Sequence, residues 1–305
     1  MLPEERTMGT VPPILVMRVL FRTTAIISMT IFLTTITVNA VDMNGDWSHT
    51  MLGMILGIAG SGSEQVRQCP VGMTYISHAL EPFCIDTFEA SPGVTCHYQN
   101  VTTESDALLN IAERACVPAS RQGAYPWRHV SQHDARQLCS RVGKRLPTAG
   151  EWYMAALGTS DPDGAYGLDG CNVARNRADG VAPTGGGMRC VSDSGVYDMI
   201  GNMWEWVDEE VVHGHWNGRA MPQTGYVHGA DKYGMAYETS GGRSQTFSGD
   251  RFWSNGAILA GVMRGGYYDS TQGAGVFSVY AASPPEFVGG AVGFRCAAAP
   301  YQTKL

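Results

Sequence analysis

Eight cysteines, all between residues 69 and 296, constrain this 305-residue chain more than any other feature. An even set of thiols suits an oxidising compartment and permits complete pairing, although eight cysteines formally allow about 105 connectivities. The expected location is therefore secreted, periplasmic or cell-surface. With 44% hydrophobic and 10% aromatic residues the chain has ample material for a core, while 16% charged residues and 38 glycines argue for a loop-rich body with little long helix. Disorder, collagen and coiled coil are excluded. A net charge of -7 without a Lys/Arg cluster gives no electrostatic grip on phosphates, so nucleic acid is not an expected partner.

Arg18 and Arg22 precede an uncharged stretch, residues 23–41, which closes on Val38-Asn39-Ala40, the small-residue form of a signal-peptidase site. The reading is a signal peptide over residues 1–40 cleaved after Ala40. Met17 is a possible true start, because Glu4 and Glu5 do not suit a positively charged leader. The alternative is an uncleaved anchor, since the stretch approaches the roughly 20 residues that span a bilayer; it would be the one membrane contact of the chain. Residues 41–68 read as a linker, with a short apolar run, Met51 to Ile58, ahead of Gly60-Ser61-Gly62-Ser63. Residues 69–305 then form one domain. Two helices are predicted in it. Ser131 to Asp134 resembles a capping box followed by Ala135, Leu138, Cys139 and Val142 at helical spacing, and Thr148 to Glu151 is a full capping box ahead of Trp152, Ala155 and Ala156.

Three motifs stand in order: Gly143-Lys144-Arg145-Leu146-Pro147-Thr148-Ala149-Gly150-Glu151-Trp152; Gly195 to Val207, containing Gly201-Asn202-Met203-Trp204-Glu205-Trp206; and Arg264-Gly265-Gly266 followed by Gly293-Phe294-Arg295-Cys296. Read physically, they are a helix stop and capped restart, two indoles suited to core anchoring, and a carboxylate, Glu205, that must be ion-paired, hydrogen-bonded or metal-bound if buried. Together they resemble the family of the formylglycine-generating enzyme, or sulfatase-modifying factor, over roughly residues 69 to 299. The resemblance implies an α+β fold, the irregular, loop-rich variant of the C-type lectin fold.

The resemblance also implies structural calcium, held by Asp198 and Glu205 side chains with the carbonyls of Gly201 and Met203. A second site would begin at Asn172 and Val173. Oxygen ligands without thiolate fit that ion. In the family, the cysteine before Gly-Lys-Arg-Leu-Pro-Thr pairs with that of Gly-Phe-Arg-Cys, which implies Cys139 with Cys296. Cys171 and Cys190 bracket a Gly-rich loop and Cys69 and Cys84 a candidate hairpin, so local pairing is the economical reading, leaving Cys96 with Cys116.

The family's oxidase binds copper through two cysteines shortly after Arg-Gly-Gly. Here the stretch runs from Gly265 to Gly275 without a cysteine, and neither Ser270 nor Gly275 offers the sulfur that Cu(I) selects, so no copper is expected. The three-histidine iron site of another branch is also missing, and His213-Gly214-His215 reads as a solvated pair. The segment from Gly275 to Pro285, closing on Val292-Gly293-Phe294-Arg295, resembles the variable region of target proteins of diversity-generating retroelements, with candidate positions from Tyr267 to Ala291. Tyr267, Tyr268, Asp269, Ser270, Tyr280, Ser283 and Phe287 then form a ligand-binding face for a protein or glycan, aromatics supplying contact area at low entropic cost. The expected function is a surface-exposed binding protein on a catalytically divergent scaffold. An extracytoplasmic maturation enzyme with an altered site, or a purely structural envelope protein, is the alternative.

Overall fold

A computed structural model describes residues 66–79, 81–160, 170–174 and 180–303. The expected signal peptide, and all of the expected linker before Val66, lie outside the described residues. The folded body begins slightly earlier than the cysteine pattern suggests: β1 (Val66–Gln68) pairs antiparallel with the last described strand (Tyr301–Thr303). The architecture is mostly β with a few short helices among the described residues, since most of the Gly-rich chain pairs as strands.

A hairpin of β2 (Met73–Ile76) and β3 (Phe83–Asp86) is followed by β4 (Ala90–Pro92), α1 (Glu104–Ala112) and β5 (Pro118–Ser120), which returns to β4. The two predicted helices follow, α2 (Gln132–Arg141) and α3 (Ala149–Ala156). Both carry complete capping boxes, from Ser131 with Asp134 and from Thr148 with Glu151. Helix α1 has the same signature, Thr103 with Asp106, but lacks an inward apolar stripe: Ala107 and Asn110 are its buried residues while Leu108 and Leu109 are exposed. Periodicity therefore passes over it; the cap alone announces it.

The main sheet is built from β6 (Trp204–Val212), β7 (His215–Trp216), β8 (Arg219–Ala220), β9 (Gly225–Ala230), β10 (Ala236–Ser240), β11 (Arg251–Ser254), β12 (Leu259–Gly265) and β13 (Gly275–Ala281), with β14 (Val292–Phe294) beside β6. β15 (Ala297–Ala298) adds to β3, and β16 (Tyr301–Thr303) is the partner of β1. Strand alternation in β6 sends Trp204 and Trp206 into one buried cluster, with Trp127, Leu138 and Phe294, and Val207 into another around Trp152. Glu205 thus faces away from its neighbouring indoles. Four disulfides join Cys69 to Cys84, Cys96 to Cys116, Cys139 to Cys296 and Cys171 to Cys190. The third ties α2 to the chain just after β14 across 157 residues.

Candidate functional site

At the centre of the body, Arg295 meets Glu205 through two hydrogen bonds, Nε to Oε2 at 2.7 Å and Nη2 to Oε1 at 2.6 Å. The indole of Trp152 donates to Glu205 Oε2 at 2.7 Å. Arg295 also donates to the carbonyls of Asp86 and Tyr197, so a fully buried guanidinium is satisfied on all sides. Parallel pairing of β14 with β6 sets this geometry, since it places Gly293 beside Glu205 and Arg295 at the strand's end.

Asn202 is a second hub, with a left-handed backbone (φ 57°) in the turn before β6. Its Nδ2 donates to Glu89 Oε2 at 2.6 Å and its Oδ1 accepts from Asn172 Nδ2 at 3.0 Å. Beside it, Gly201 (φ 77°) packs so closely that a Cβ would come 2.4 Å from the Asn172 carbonyl oxygen. Glu89 is fully buried; desolvation first, then the charges of Asp198 and Glu205, hold its carboxyl well above the usual range.

This geometry does not fit a calcium cage on Glu205. Both its oxygens are committed to Arg295 and Trp152, and a cation would have to sit against a guanidinium. Asp198 Oδ2 accepts the Gly185 amide, and the Gly201 carbonyl accepts the Met203 amide. Among the described residues no group of three His, Cys, Asp or Glu is placed to hold a metal ion. The second expected site differs. Asn172 Oδ1 is buried without a donor among the described residues, as is Glu89 Oε1, and hard-oxygen chemistry fits such atoms. The Val173 carbonyl accepts the Thr271 amide at 2.6 Å, which seats the loop after β12 on this segment.

In that loop, Ser270 Oγ accepts the Tyr267 amide at 2.9 Å, and Tyr267 and Tyr268 meet edge-on at 5.1 Å. Gly275 opens β13, and a Cβ there would come 1.8 Å from Asp250 Oδ1. The space a side chain would need is filled by a buried carboxylate. His213, on the turn after β6, and His215, the first residue of β7, are both exposed.

The expected binding residues are less displayed than the sequence suggests. Of the seven, Phe287 is exposed, at 39%; Tyr267, Tyr268, Asp269, Ser270 and Tyr280 are half-buried and Ser283 is buried. The cause is packing. Parallel pairing of β11 with β13 puts Trp253 beside Tyr280, and Trp204 of β6 closes the group, at 5.3 Å from Trp253 and 5.8 Å from Tyr280. The Tyr280 hydroxyl meets Ser283 Oγ at 3.2 Å. Trp253 lies partly exposed in this cluster with the Arg251 guanidinium 5.5 Å over its ring. Sequence reasoning missed Trp253, although its sole signal, an aromatic in an amphipathic strand, was legible; Arg295 as partner of Glu205 carried no local signal.

Comparison with known proteins gives the chain its relatives. It is 33% identical over 122 residues to the inactive C-alpha-formylglycine-generating enzyme 2 of Bos taurus, covering 35% of this chain and 40% of that protein. It is 31% identical over 136 residues to the formylglycine-generating enzyme of Thermomonospora curvata, covering 39% and 44%. The matched stretch thus spans less than half the length of these curated relatives. Among solved structures, the Major Tropism Determinant I1 variant matches 79% of this chain and 55% of its own at 17% identity and a TM-score of 0.40. A family model for the sulfatase-modifying factor enzyme 1-like domain matches residues 76–300, and the chain belongs to that family.

Proposed function

We propose that this chain is an exported, ligand-binding member of its family that does not carry out copper-thiolate oxidation. One observation carries the reading. The loop after Arg264-Gly265-Gly266 has no sulfur at Ser270 or Gly275, and all eight cysteines of the chain are held in disulfides. The Asp250 carboxylate against Gly275 further closes the position to a thiolate. Four disulfides also suit an extracytoplasmic location.

The binding face in this reading is the cluster of Trp204, Trp253 and Tyr280 with Phe287 and the Tyr267–Tyr268 pair at its margin. Its partner is a protein or a glycan, and its variability would be that of a diversity-generating retroelement target. A disulfide-braced sheet beneath half-buried rings lowers the ordering cost of binding. The test is turnover. The purified chain, supplied with copper(I), oxygen and a thiol peptide, is expected to consume no oxygen above a protein-free control. Copper-dependent, saturable oxygen uptake would overturn the reading in favour of an altered maturation enzyme.

A further inference from the structure

A cavity of about 730 Å³ lies where the β2–β3 turn, the start of α3, the second half of β6 and the turns after β7 and β9 converge. None of the residues of the buried charge centre or the aromatic cluster lines it. Its apolar wall is Phe83, Met154, Trp216 and Tyr233. Tyr233 lies against the helix start because residue 150 is glycine: a Cβ there would come 2.7 Å from the tyrosine Cδ1.

The polar floor is Glu209. Its Oε2 accepts the Ala149 amide at 2.6 Å, the first N–H of α3, and it has no ion-pair partner among the described residues. Burial pushes its carboxyl up to about 7, with the charges of Asp208 and Glu151 raising it further, against the Ala149 bond and Arg264. The cations that line the cavity are otherwise engaged. Arg145 holds Glu151 through two hydrogen bonds of 2.6 and 2.5 Å. Lys232 stands at the exposed rim, its Nζ 4.9 Å over the Tyr233 ring, and His78 and Glu81 are exposed there too. Trp216, 4% exposed, closes the cavity with its ring, which meets Tyr233 edge-on at 6.0 Å.

We propose that this cavity binds a small organic amine with an apolar body, its ammonium on Glu209 and its apolar part against Phe83, Met154, Trp216 and Tyr233. Anions are disfavoured by Glu209 on the floor and Glu81 at the rim, whereas the charge of Glu151 is met by Arg145. A neutral molecule of the same shape leaves the carboxylate without a counter-charge. Because the ammonium pairs with ionised Glu209, binding strengthens as pH rises through about 7 and displaces the proton that Glu209 carries below it.

Calorimetry on the full chain with phenylalaninol decides the matter, with 3-phenylpropan-1-ol and 3-phenylpropionate as neutral and anionic comparisons. Phenylalaninol is expected to bind at about pH 8 roughly tenfold more tightly than either comparison, and to weaken roughly thirtyfold by about pH 5.5 as Glu209 takes up its proton, tenfold being about 1.4 kcal/mol. Glu209→Gln keeps an acceptor for Ala149 and is expected to abolish both the amine preference and the pH dependence. Met154→Trp, which fills the cavity without touching Glu209, is expected to abolish binding even if Glu209→Gln folds poorly. Equal binding of amine and alcohol overturns the proposal, as does amine binding unchanged in Glu209→Gln or absent at millimolar concentration. A pH dependence that persists in Glu209→Gln also overturns it, by assigning the titration to His78 or Glu81.

Discussion

Arg295 and Glu205, 90 residues apart in sequence, form a bidentate ion pair in the fully buried centre of the chain. Removing one member leaves the other charged and unpaired, which costs about 3 to 5 kcal/mol. Glu205→Ala is therefore expected to lower unfolding free energy in urea by that amount, and equally with and without a calcium chelator. A loss that appears only in the presence of calcium would restore Glu205 as a metal ligand.

Glu89 makes stability fall as pH rises. Its folded-state carboxyl binds the proton more tightly than the unfolded one, whose ordinary value is 4.5. The folded chain thus holds more protons than the unfolded chain above that pH, and stability declines from there upward toward the raised folded value. Glu89→Gln keeps an acceptor for Asn202 and removes the titration. Its unfolding free energy, followed by urea titration from acid to mildly basic pH, is expected to fall less steeply than that of the parent chain. Identical slopes would place Glu89 in an ordinary ionised state.

The four disulfides are unequal in what they constrain. Cys139 to Cys296 spans 157 residues, against 15, 20 and 19 for the others. In the chain-entropy account the long bridge is worth about 5 kcal/mol and each short one about 3. Replacing Cys139 and Cys296 together by alanine is expected to lower the melting temperature more than the same change at Cys171 and Cys190. The reverse order would mean that local strain, not loop closure, governs these bonds.

Local signals carried the parts of this fold that are local. The caps at Ser131 and Thr148 place two helices because capping is decided within four residues. Arg295 reaches Glu205 only after β14 has crossed to lie beside β6, a long-range pairing that no window of sequence contains. The same holds for Trp253 and Tyr280, whose contact depends on a parallel register between β11 and β13. Tyr280 therefore read as a displayed ring, although two tryptophans half-cover it.

For calcium, the expected ligand that keeps an uncommitted oxygen among the described residues is Asn172. The buried Oδ1 of Asn172, without a donor among the described residues, predicts that chelation lowers the melting temperature and that calcium restores it, since an ion bound only by the folded chain stabilises by mass action. In Asn172→Ala the calcium-induced shift is expected to vanish, whatever the variant's own stability. A shift of unchanged size in that variant would place the ion elsewhere.

The aromatic cluster yields the prediction that separates a binding protein from a silent scaffold. Phe287 and the partly exposed faces of Trp253 and Tyr280 are the groups a partner can reach, and contact aromatics carry much of an interface's energy. Phe287→Ala and Trp253→Ala are each expected to weaken binding to partner-bearing cell surfaces by about 1 kcal/mol or more. Phe287→Ala should leave the melting temperature unchanged, because the ring packs at the surface. Trp253→Ala should cost stability as well, because the ring meets Trp204 edge-on at 5.3 Å. If the face is diversified, the coding DNA is expected to have nearby a near-copy of the segment for Tyr267 to Ala291 that differs almost only at adenines, beside a reverse transcriptase gene. Substitutions that leave binding untouched at both rings would remove the face from the function. A missing near-copy with binding intact would instead leave a fixed receptor surface, one whose specificity is set by the Trp204–Trp253–Tyr280 packing and not by variation around it.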